Sequence, residues 1–584
     1  MKRLALFALL LVAGLTVSSQ SQAPAFDLLI RGGRVVDGSG NPWFTADVGV
    51  KDGRIAAVGL LGNATAARTI DATGRIVTPG FIDMHSHADG GLANMALRHA
   101  PNIVAQGITL VAVNQDGRSP RPIRDQKALY EKQGIGPHAM LLVGHGTVRT
   151  RAMGQRDNEI ATDDDIRAMQ KLVEAAMNEG AFGLSSGLEY NPGRYSETRE
   201  VVALARVIKP YGGFYISHER SEGADPMWKV KSDPSPFVSL IEAVQETITI
   251  GREAGVPAVA SHLKAKGANY WGSSTIATRL IRDARAEGVE VYADQYPYET
   301  SGTDGSTVVI PGWALRPPDA GGGRGAGDQL TAGAAGRGGG RGRGGRGGAG
   351  GRSVKEIFKT RLGIDDDVRK IRQDIEHEIA RRGGAARIII TDFPDPKYVQ
   401  QSLQFVANDR TLSPVDAAIW LQLNGEDRAG GARMRGFSLS PIDLEHIMQQ
   451  DFTATCTDGG ISTPGQGLPH ARFYGTMARK IRHYVLDRGA ITLPHAIRSM
   501  TSLGAQIMGL KDRGLVRAGY WADLVVVDLE TIEDKATFTE PHQYPTGIPF
   551  VFVNGVAVVD DGKITGATPG TVLTPATDSW RYSR

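Results

Sequence analysis

The sequence predicts an α/β protein: a (β/α)8 TIM-like barrel, a small β-sandwich domain built from both chain ends, and a lid subdomain inserted late in the barrel. Three observations predict it. Short apolar runs alternate with amphipathic helical stretches through most of the middle of the chain, the pattern of repeated βα units. Both ends are instead rich in β-branched runs punctuated by Asp-Gly, Gly-Gly and Asn-Gly. Between Asp294 and Phe452 the alternation stretches far beyond an ordinary βα loop.

Met1–Ala23 stands apart. Lys2 and Arg3 form a basic start, Leu4 to Val17 an apolar run, and Ser21-Gln22-Ala23 offers small residues for cleavage. The run is short for a bilayer span, so residues 1–23 are expected to be a signal peptide, and the protein to be exported to the periplasm or beyond. No later segment is long and apolar enough to span, so no stable membrane association is expected after cleavage. Loss of the peptide lowers the formal net charge from +3 to +1, which gives no surplus for a polyanionic partner. A chain of 584 residues with 41% hydrophobic and 22% charged residues suits two or three soluble units. The single cysteine, Cys456, excludes an intramolecular disulfide even in an oxidising compartment.

Residues 24–78 supply the first part of the β-sandwich. Asp27–Ile30, Arg34–Val36, Asp47–Lys51 and Arg54–Val58 read as strands joined by tight turns. Residues 511–584 supply the rest, with a strand at Ala522–Asp528 and a hairpin around Asn554-Gly555. The barrel is expected over 79–510. Its strand candidates are Phe81–Asp83, Ile108–Val113, Ala139–Val143, Phe182–Leu184, Gly213–Ser217, Ala258–Ser261, Glu290–Ala293 and Phe452–Cys456. Helical patterns lie at Thr162–Glu179, with Thr162 as N-cap and three aspartates in the first turn, at Phe237–Ala254 and at Ser274–Glu287. The lid is expected over 300–440, with helices at Val354–Leu362 and Asp365–Arg382 and a strand at Ala386–Thr391. Within it, 319–352 is almost all Gly, Ala and Arg and is expected to be disordered. Arg-Gly repeats are able to bind RNA; in an exported chain, where the tract interrupts a globular pattern, a flexible surface insertion and no nucleic-acid partner are expected.

Active sites of such barrels sit at the C-terminal ends of the strands, and five strand ends carry suitable side chains. In Phe81-Ile82-Asp83-Met84-His85-Ser86-His87, two histidines at i and i+2 would face one side of an extended chain. The second strand leads to Asp116, the fifth ends Ile216-Ser217-His218 and the sixth Ala260-Ser261-His262, followed by Lys264. The eighth leads to Asp458-Gly459-Gly460. Neutral imidazoles and a carboxylate suit Zn2+ with an open position. Such an ion lowers the pKa of a bound water towards ~7 and polarises a carbonyl. Asp458 is the candidate to take the proton from that water and return it to a leaving amine.

These residues resemble the amidohydrolase superfamily and, within it, the N-acyl-D-amino-acid deacylases (D-aminoacylases). The likeness runs through Pro79–Asp89, Gly180–Tyr190 with its Gly-Leu-Ser-Ser-Gly-Leu block, Ser217–Arg220, Ser261–Lys264, Asp294–Tyr298, Phe473–Thr476 and the His542-Gln543-Tyr544-Pro545 block. The resemblance implies hydrolysis of an N-acyl-D-amino acid, a small-molecule substrate, to a carboxylate and a free D-amino acid. It implies a tight zinc on Asp116, His218 and His262, a weaker second site on His85 and His87, and Asp458 as general base and acid. It also implies substrate contacts from Tyr190, Lys264 and Arg472, the two cations holding the substrate carboxylate. Two features depart from the family. Asp116 stands where a cysteine is common, which hardens the site and would admit Mn2+ or Co2+. A family His-Pro-Arg reads His470-Ala471-Arg472. A cyclic-amide hydrolase of the dihydropyrimidinase type would carry a lysine at the end of the fourth strand, where this chain has Gly183-Leu184-Ser185-Ser186.

Overall fold

A computed structural model describes residues 25–234, 236–302, 307–318 and 353–584. The expected signal peptide and the Gly/Arg-rich tract 319–352 lie outside the described residues.

Eight parallel strands pair in chain order: Phe81–Asp83, Ile108–Val113, His138–Gly144, Gly183–Gly187, Phe214–His218, Ala258–Ala260, Val291–Gln295 and Thr453–Thr455. All eight overlap the runs read from the sequence, the fourth only at Gly183 and Leu184. Their residues are buried without exception, as expected for parallel strands covered on both faces. The first and eighth strands meet just beyond their ends. Gly459–Gly460 pairs in parallel with Ser86–His87. Thr457 N donates to Asp83 Oδ1 at 2.8 Å, and Asp458 N to the His85 carbonyl at 2.9 Å. The seam therefore closes at the mouth, where the chemistry-bearing residues lie. A buried cluster including Ile82, Leu110, Leu142, Ile216, Val259 and Ala454 ties the strands together, each large side chain contributing about 1.5–3 kcal/mol by burial.

The helix over Asp163–Asn178 starts where Thr162 predicts. Thr162 Oγ1 accepts from Asp165 N at 3.2 Å and Thr162 N donates to Asp165 Oδ2 at 3.0 Å, a reciprocal cap. Its Ile166, Met169, Val173 and Ala176 face the core. The next predicted helix starts later than its apolar pattern, at Leu240 rather than Phe237. Ser239 and Glu242 form the cap and leave Phe237 50% exposed.

Both chain ends enter one nine-stranded sheet. Ile76–Pro79, the last strand before the barrel, pairs antiparallel with Leu524–Val527, the first after it. The apolar cluster beneath draws on both ends, with Leu28, Val48 and Ile55 beside Leu524 and Phe552. Asn554 and Gly555 turn the C-terminal hairpin at φ +49° and +76°, as a type I′ turn requires.

A buried polar knot fastens this sheet to the barrel. Arg513 pairs with Asp523, which also accepts from Asn554 N at 2.9 Å and lies 3.3 Å from His138 Nε2 on the third barrel strand. Burial alone would raise the Asp523 carboxyl, but Arg513 and then His138 hold it well below the usual range. Burial, then Arg513, lowers His138. Both groups hold fewer protons folded than unfolded, so both contributions are present at neutral pH. That of His138 fades as pH falls below its unfolded value of ~6.5, and that of Asp523 below ~4. Asp523→Ala leaves Arg513 buried without its anion. It is expected to cost ~3–5 kcal/mol, read as a lower urea midpoint at pH 7 that falls less than the wild type on acidification.

The inserted segment has its own core, with Ile371, Ile375, Ile388, Ile390, Leu403 and Leu421 at its centre. Its helices Val354–Leu362 and Asp365–Arg381 agree with the sequence reading, and Ile388–Asp392 pairs antiparallel with Arg433–Gly436. Arg381 donates to Asp225 at 2.9 Å, Ser232 N to Asp374 at 2.8 Å, and Arg387 to Glu299 at 2.8 Å. The segment thus seats on the loops after the fifth and seventh strands, over the barrel mouth.

Candidate active site

Asp116 is the centre of the constellation. Its Oδ1 lies 3.5 Å from His85 Nε2, 3.6 Å from His218 Nδ1 and 4.0 Å from His262 Nε2, and its Oδ2 lies 3.6 Å from His87 Nε2. Asp458 Oδ1 closes the ring, 3.1 Å from His87 Nε2 and 3.7 Å from His85 Nε2. The six strand-end residues picked from the sequence thus converge on one buried point. His85 and His87 present their Nε2 atoms to the same two carboxylates, as their spacing predicts.

The backbone turns sharply to do this. Asp116, His262 and Asp458 all adopt left-handed conformations, at φ +57°, +38° and +46°. Aspartate tolerates that region better than most residues. His262 is held there by Asp294 of the seventh strand, which accepts from His262 N at 2.6 Å and from Leu263 N through its carbonyl at 2.8 Å. Strain of this kind is characteristic of functional sites.

Outer partners fix each imidazole. Ser261 Oγ lies 2.5 Å from His85 Nδ1 and donates to Asp294 at 3.1 Å. His218 Nε2 lies 3.2 Å from Glu189 Oε2. His262 Nδ1 lies 2.7 Å from Lys264 Nζ and 3.4 Å from Glu222 Oε1. Glu222 also accepts from Lys264 at 2.5 Å and Lys266 at 2.9 Å. The inward atoms His85 Nε2, His218 Nδ1 and Asp116 Oδ1 are buried with no hydrogen-bond partner. Buried polar atoms are rarely left so. Their separations are too long for hydrogen bonds. They suit a shared ion: two donors each ~2.0–2.1 Å from one tetrahedral metal lie about 3.4 Å apart. The residues present fit a divalent metal.

The substrate-side candidates surround the same point. The Tyr190 ring centroid is 4.3 Å from that of His218. Burial, then Asp116, raises the Tyr190 phenol far above its usual range, so it remains a donor. Arg472 Nη2 is 3.0 Å from Asp458 Oδ2, while its Nε and Nη1 are buried without partners. Lys264 Nζ lies 2.5 Å from Glu222 Oε1, which holds it in this arrangement. Four contributors were missed by the sequence reading: Glu222, Glu189, Asp294 and Tyr296. The Tyr296 hydroxyl is buried without a partner, and its ring lies under Arg472 at 4.5 Å and Lys264 at 5.5 Å. Asp294 and Tyr296 lie in the Asp294-Gln295-Tyr296-Pro297-Tyr298 block, whose burst of polar residues at a strand end was the available signal. Glu189 lies near the end of the Gly180–Tyr190 block, while Glu222 lies in a loop with no such mark.

Comparison with known proteins agrees with this arrangement. The model of the amidohydrolase family matches residues 68–301 and 413–559, leaving out most of the inserted segment. A D-aminoacylase of Alcaligenes xylosoxydans xylosoxydans is 31% identical over 579 residues, 95% of this chain and 99% of that protein. A solved D-aminoacylase, studied for its binuclear metal centre, superposes with a TM-score of 0.68 at 30% identity, over 94% of this chain and 100% of that one. The N-acyl-D-glutamate deacylase of Bordetella bronchiseptica, solved with zinc and a phosphonate inhibitor, gives a TM-score of 0.68 at 29% identity, over 94% and 99%. A barrel with its metal-competent residues in this order, matched over nearly its whole length by these relatives, belongs to the amidohydrolase family, in its D-aminoacylase branch.

Proposed function

We propose that the protein hydrolyses the amide bond of N-acyl-D-amino acids, releasing a carboxylate and a free D-amino acid. The observation that carries this reading is the single buried point shared by Asp116, four histidines and Asp458, with Arg472 directly beside it. Zinc is the ion the imidazole-rich donor set favours, and Asp116 as a carboxylate ligand extends the range to Mn2+ or Co2+. Asp116, His218 and His262 would hold the tight ion, and His85 and His87 a weaker one. Bound there, the ion supplies Lewis acidity towards water and the scissile carbonyl.

The chain's own residues do the rest. Arg472 and Lys264 grip the substrate carboxylate, and Tyr190 donates to the acyl oxygen from beside His218. Asp458 accepts the proton of the attacking water and delivers it to the departing amine. Burial would raise the Asp458 carboxyl, but Arg472 foremost, then His87, hold it well below the usual range. A substrate carboxylate at Arg472 shares that guanidinium, loosens its hold on Asp458 and raises the basicity of the aspartate when substrate is present. Lys264 is released to substrate in the same way, at the expense of its bond to Glu222.

The inserted segment over the mouth supports selection of the amino-acid side chain by loop shape. The fourth strand, Gly183–Gly187, carries no lysine, which weighs against a cyclic-amide hydrolase with a lysine bridge. The basic start and apolar run of residues 1–23 support export. The test is a hydrolysis panel of N-acetyl-D- and N-acetyl-L-amino acids, with metal content measured on the same sample. Turnover confined to D-substrates by zinc-containing protein is expected. Metal-replete protein that cleaves none of them would refute the reading.

A further inference from the structure

Outside the metal cluster, the second-, third- and fourth-strand loops enclose a second concavity of about 870 Å3. That size is ample for a small organic ligand. Its floor is the reverse side of the turn that carries Asp116. Gly117 and Gly187 pack there backbone to backbone, so closely that a Cβ on Gly187 would fall 2.4 Å from the Asp116 carbonyl. The Asp116 carboxylate itself faces the histidines, and the same residue borders this hollow.

Its walls are basic. Arg118, Arg121, Arg124 and Arg151 line it, against Glu179 as the one acid besides Asp116. Glu179 is already engaged, accepting from Ile123 N at 2.8 Å and pairing with Arg124 at 3.4 Å. Arg121 is anchored on the Leu172 carbonyl at 2.8 Å. Among the described residues, the guanidiniums of Arg118 and Arg151 have no hydrogen-bond or ionic partner. Gly146 and Thr147 from the first turn of the helix His145–Met153, and Thr150 and Arg151 from its last, complete the same wall. Two unpaired guanidiniums and two anchored ones, against a Glu179 that is already engaged, make a wall that favours negative charge. Planar guanidiniums favour carboxylates, and two free ones favour two carboxylates.

We propose that this cavity is a second, peripheral binding site for an organic dicarboxylate, seated against the back of the Asp116 turn. Two sources share that chemistry: a free dicarboxylic acid, and an N-acyl-D-amino acid with an acidic side chain. The site does not depend on the proposed hydrolysis. Its contact with the Asp116 turn gives an occupant a direct route to the metal centre.

The test uses the full-length, metal-loaded protein and the double variant Arg118→Ala/Arg151→Ala, which alters exposed side chains outside the catalytic machinery. Succinate and acetate are titrated by calorimetry at low ionic strength, where surface charge is least screened. Succinate is expected to bind the wild type more tightly than acetate, and the double variant about tenfold more weakly. Turnover then separates the sources. If the occupant is substrate, KM for N-acetyl-D-glutamate rises in the double variant while kcat and the KM for N-acetyl-D-leucine hold. If the occupant is a free acid, both KM values hold and succinate alters wild-type turnover but not that of the variant. Equal succinate binding by the two proteins, or none by either, overturns the proposal. Absence of turnover on every N-acyl-D-amino acid refutes the hydrolase reading and leaves the calorimetric result to decide this one.

Discussion

Asp458→Asn is expected to lower kcat by about 10²–10⁴-fold with the metal content unchanged. The substitution is close to isosteric, and asparagine tolerates the φ of +46° that Asp458 adopts. The backbone bond from residue 458 to the His85 carbonyl, 2.9 Å long, is untouched, so the seam between the first and eighth strands stays closed. The amide loses the ability to accept and return a proton. It also removes the anion facing Arg472, 3.0 Å away, so Arg472 becomes freer for a substrate carboxylate. KM is therefore expected to hold or fall while kcat collapses, a pattern that a general loss of structure would not give. Steady-state kinetics with metal analysis on the same preparation checks it. A kcat within about tenfold of wild type would assign the proton transfer to another group.

The barrel was legible because most of its strands are short, apolar, fully buried runs that stop at a polar residue. That same rule exposed His85, His87, Asp116, His218, His262 and Asp458. The turns at Asp116-Gly117 and Asp458-Gly459 were legible too, since Asp-Gly marks a sharp reversal. The left-handed turn at His262 was not, because nothing in Ser-His-Leu-Lys announces it. It depends on Asp294, a carboxylate contributed by the next strand 32 positions away. Glu222 escaped for a related reason. It stands four residues past His218 in an irregular loop, and its importance comes from Lys264 and Lys266 reaching it from the sixth strand's loop. The pairing of Lys264 with Glu222, and of Arg472 with Asp458, is likewise a property of three-dimensional neighbours. A sequence shows that cations are present near a site, but not which anions already hold them. The same limit applies to the arginine-lined hollow, whose four arginines look like ordinary surface charge until the segments after the second and third strands bring them together.

His218→Ala is expected to release the tight ion, lowering metal content by about one equivalent per chain after dialysis, and to abolish turnover. His218 Nδ1 faces Asp116 Oδ1 at 3.6 Å, and its other nitrogen is fixed by Glu189 at 3.2 Å, so its ring is already oriented as a ligand. Alanine removes the donor and leaves the Glu189 carboxylate without its imidazole partner. His262→Ala should behave alike, since His262 Nε2 is 4.0 Å from the same oxygen. His87→Ala makes the contrast. His87 is the more exposed member of the set, at 19% of its side-chain surface against 3% for His218, and its nearest partner is Asp458 at 3.1 Å rather than Asp116. Its loss is expected to spare the tight ion and weaken only the second site. The ordering matters more than any single value. If His87→Ala loses the tight ion and His218→Ala keeps it, the strong site lies on the first-strand pair and Asp458, and the roles of the two halves of the centre are reversed.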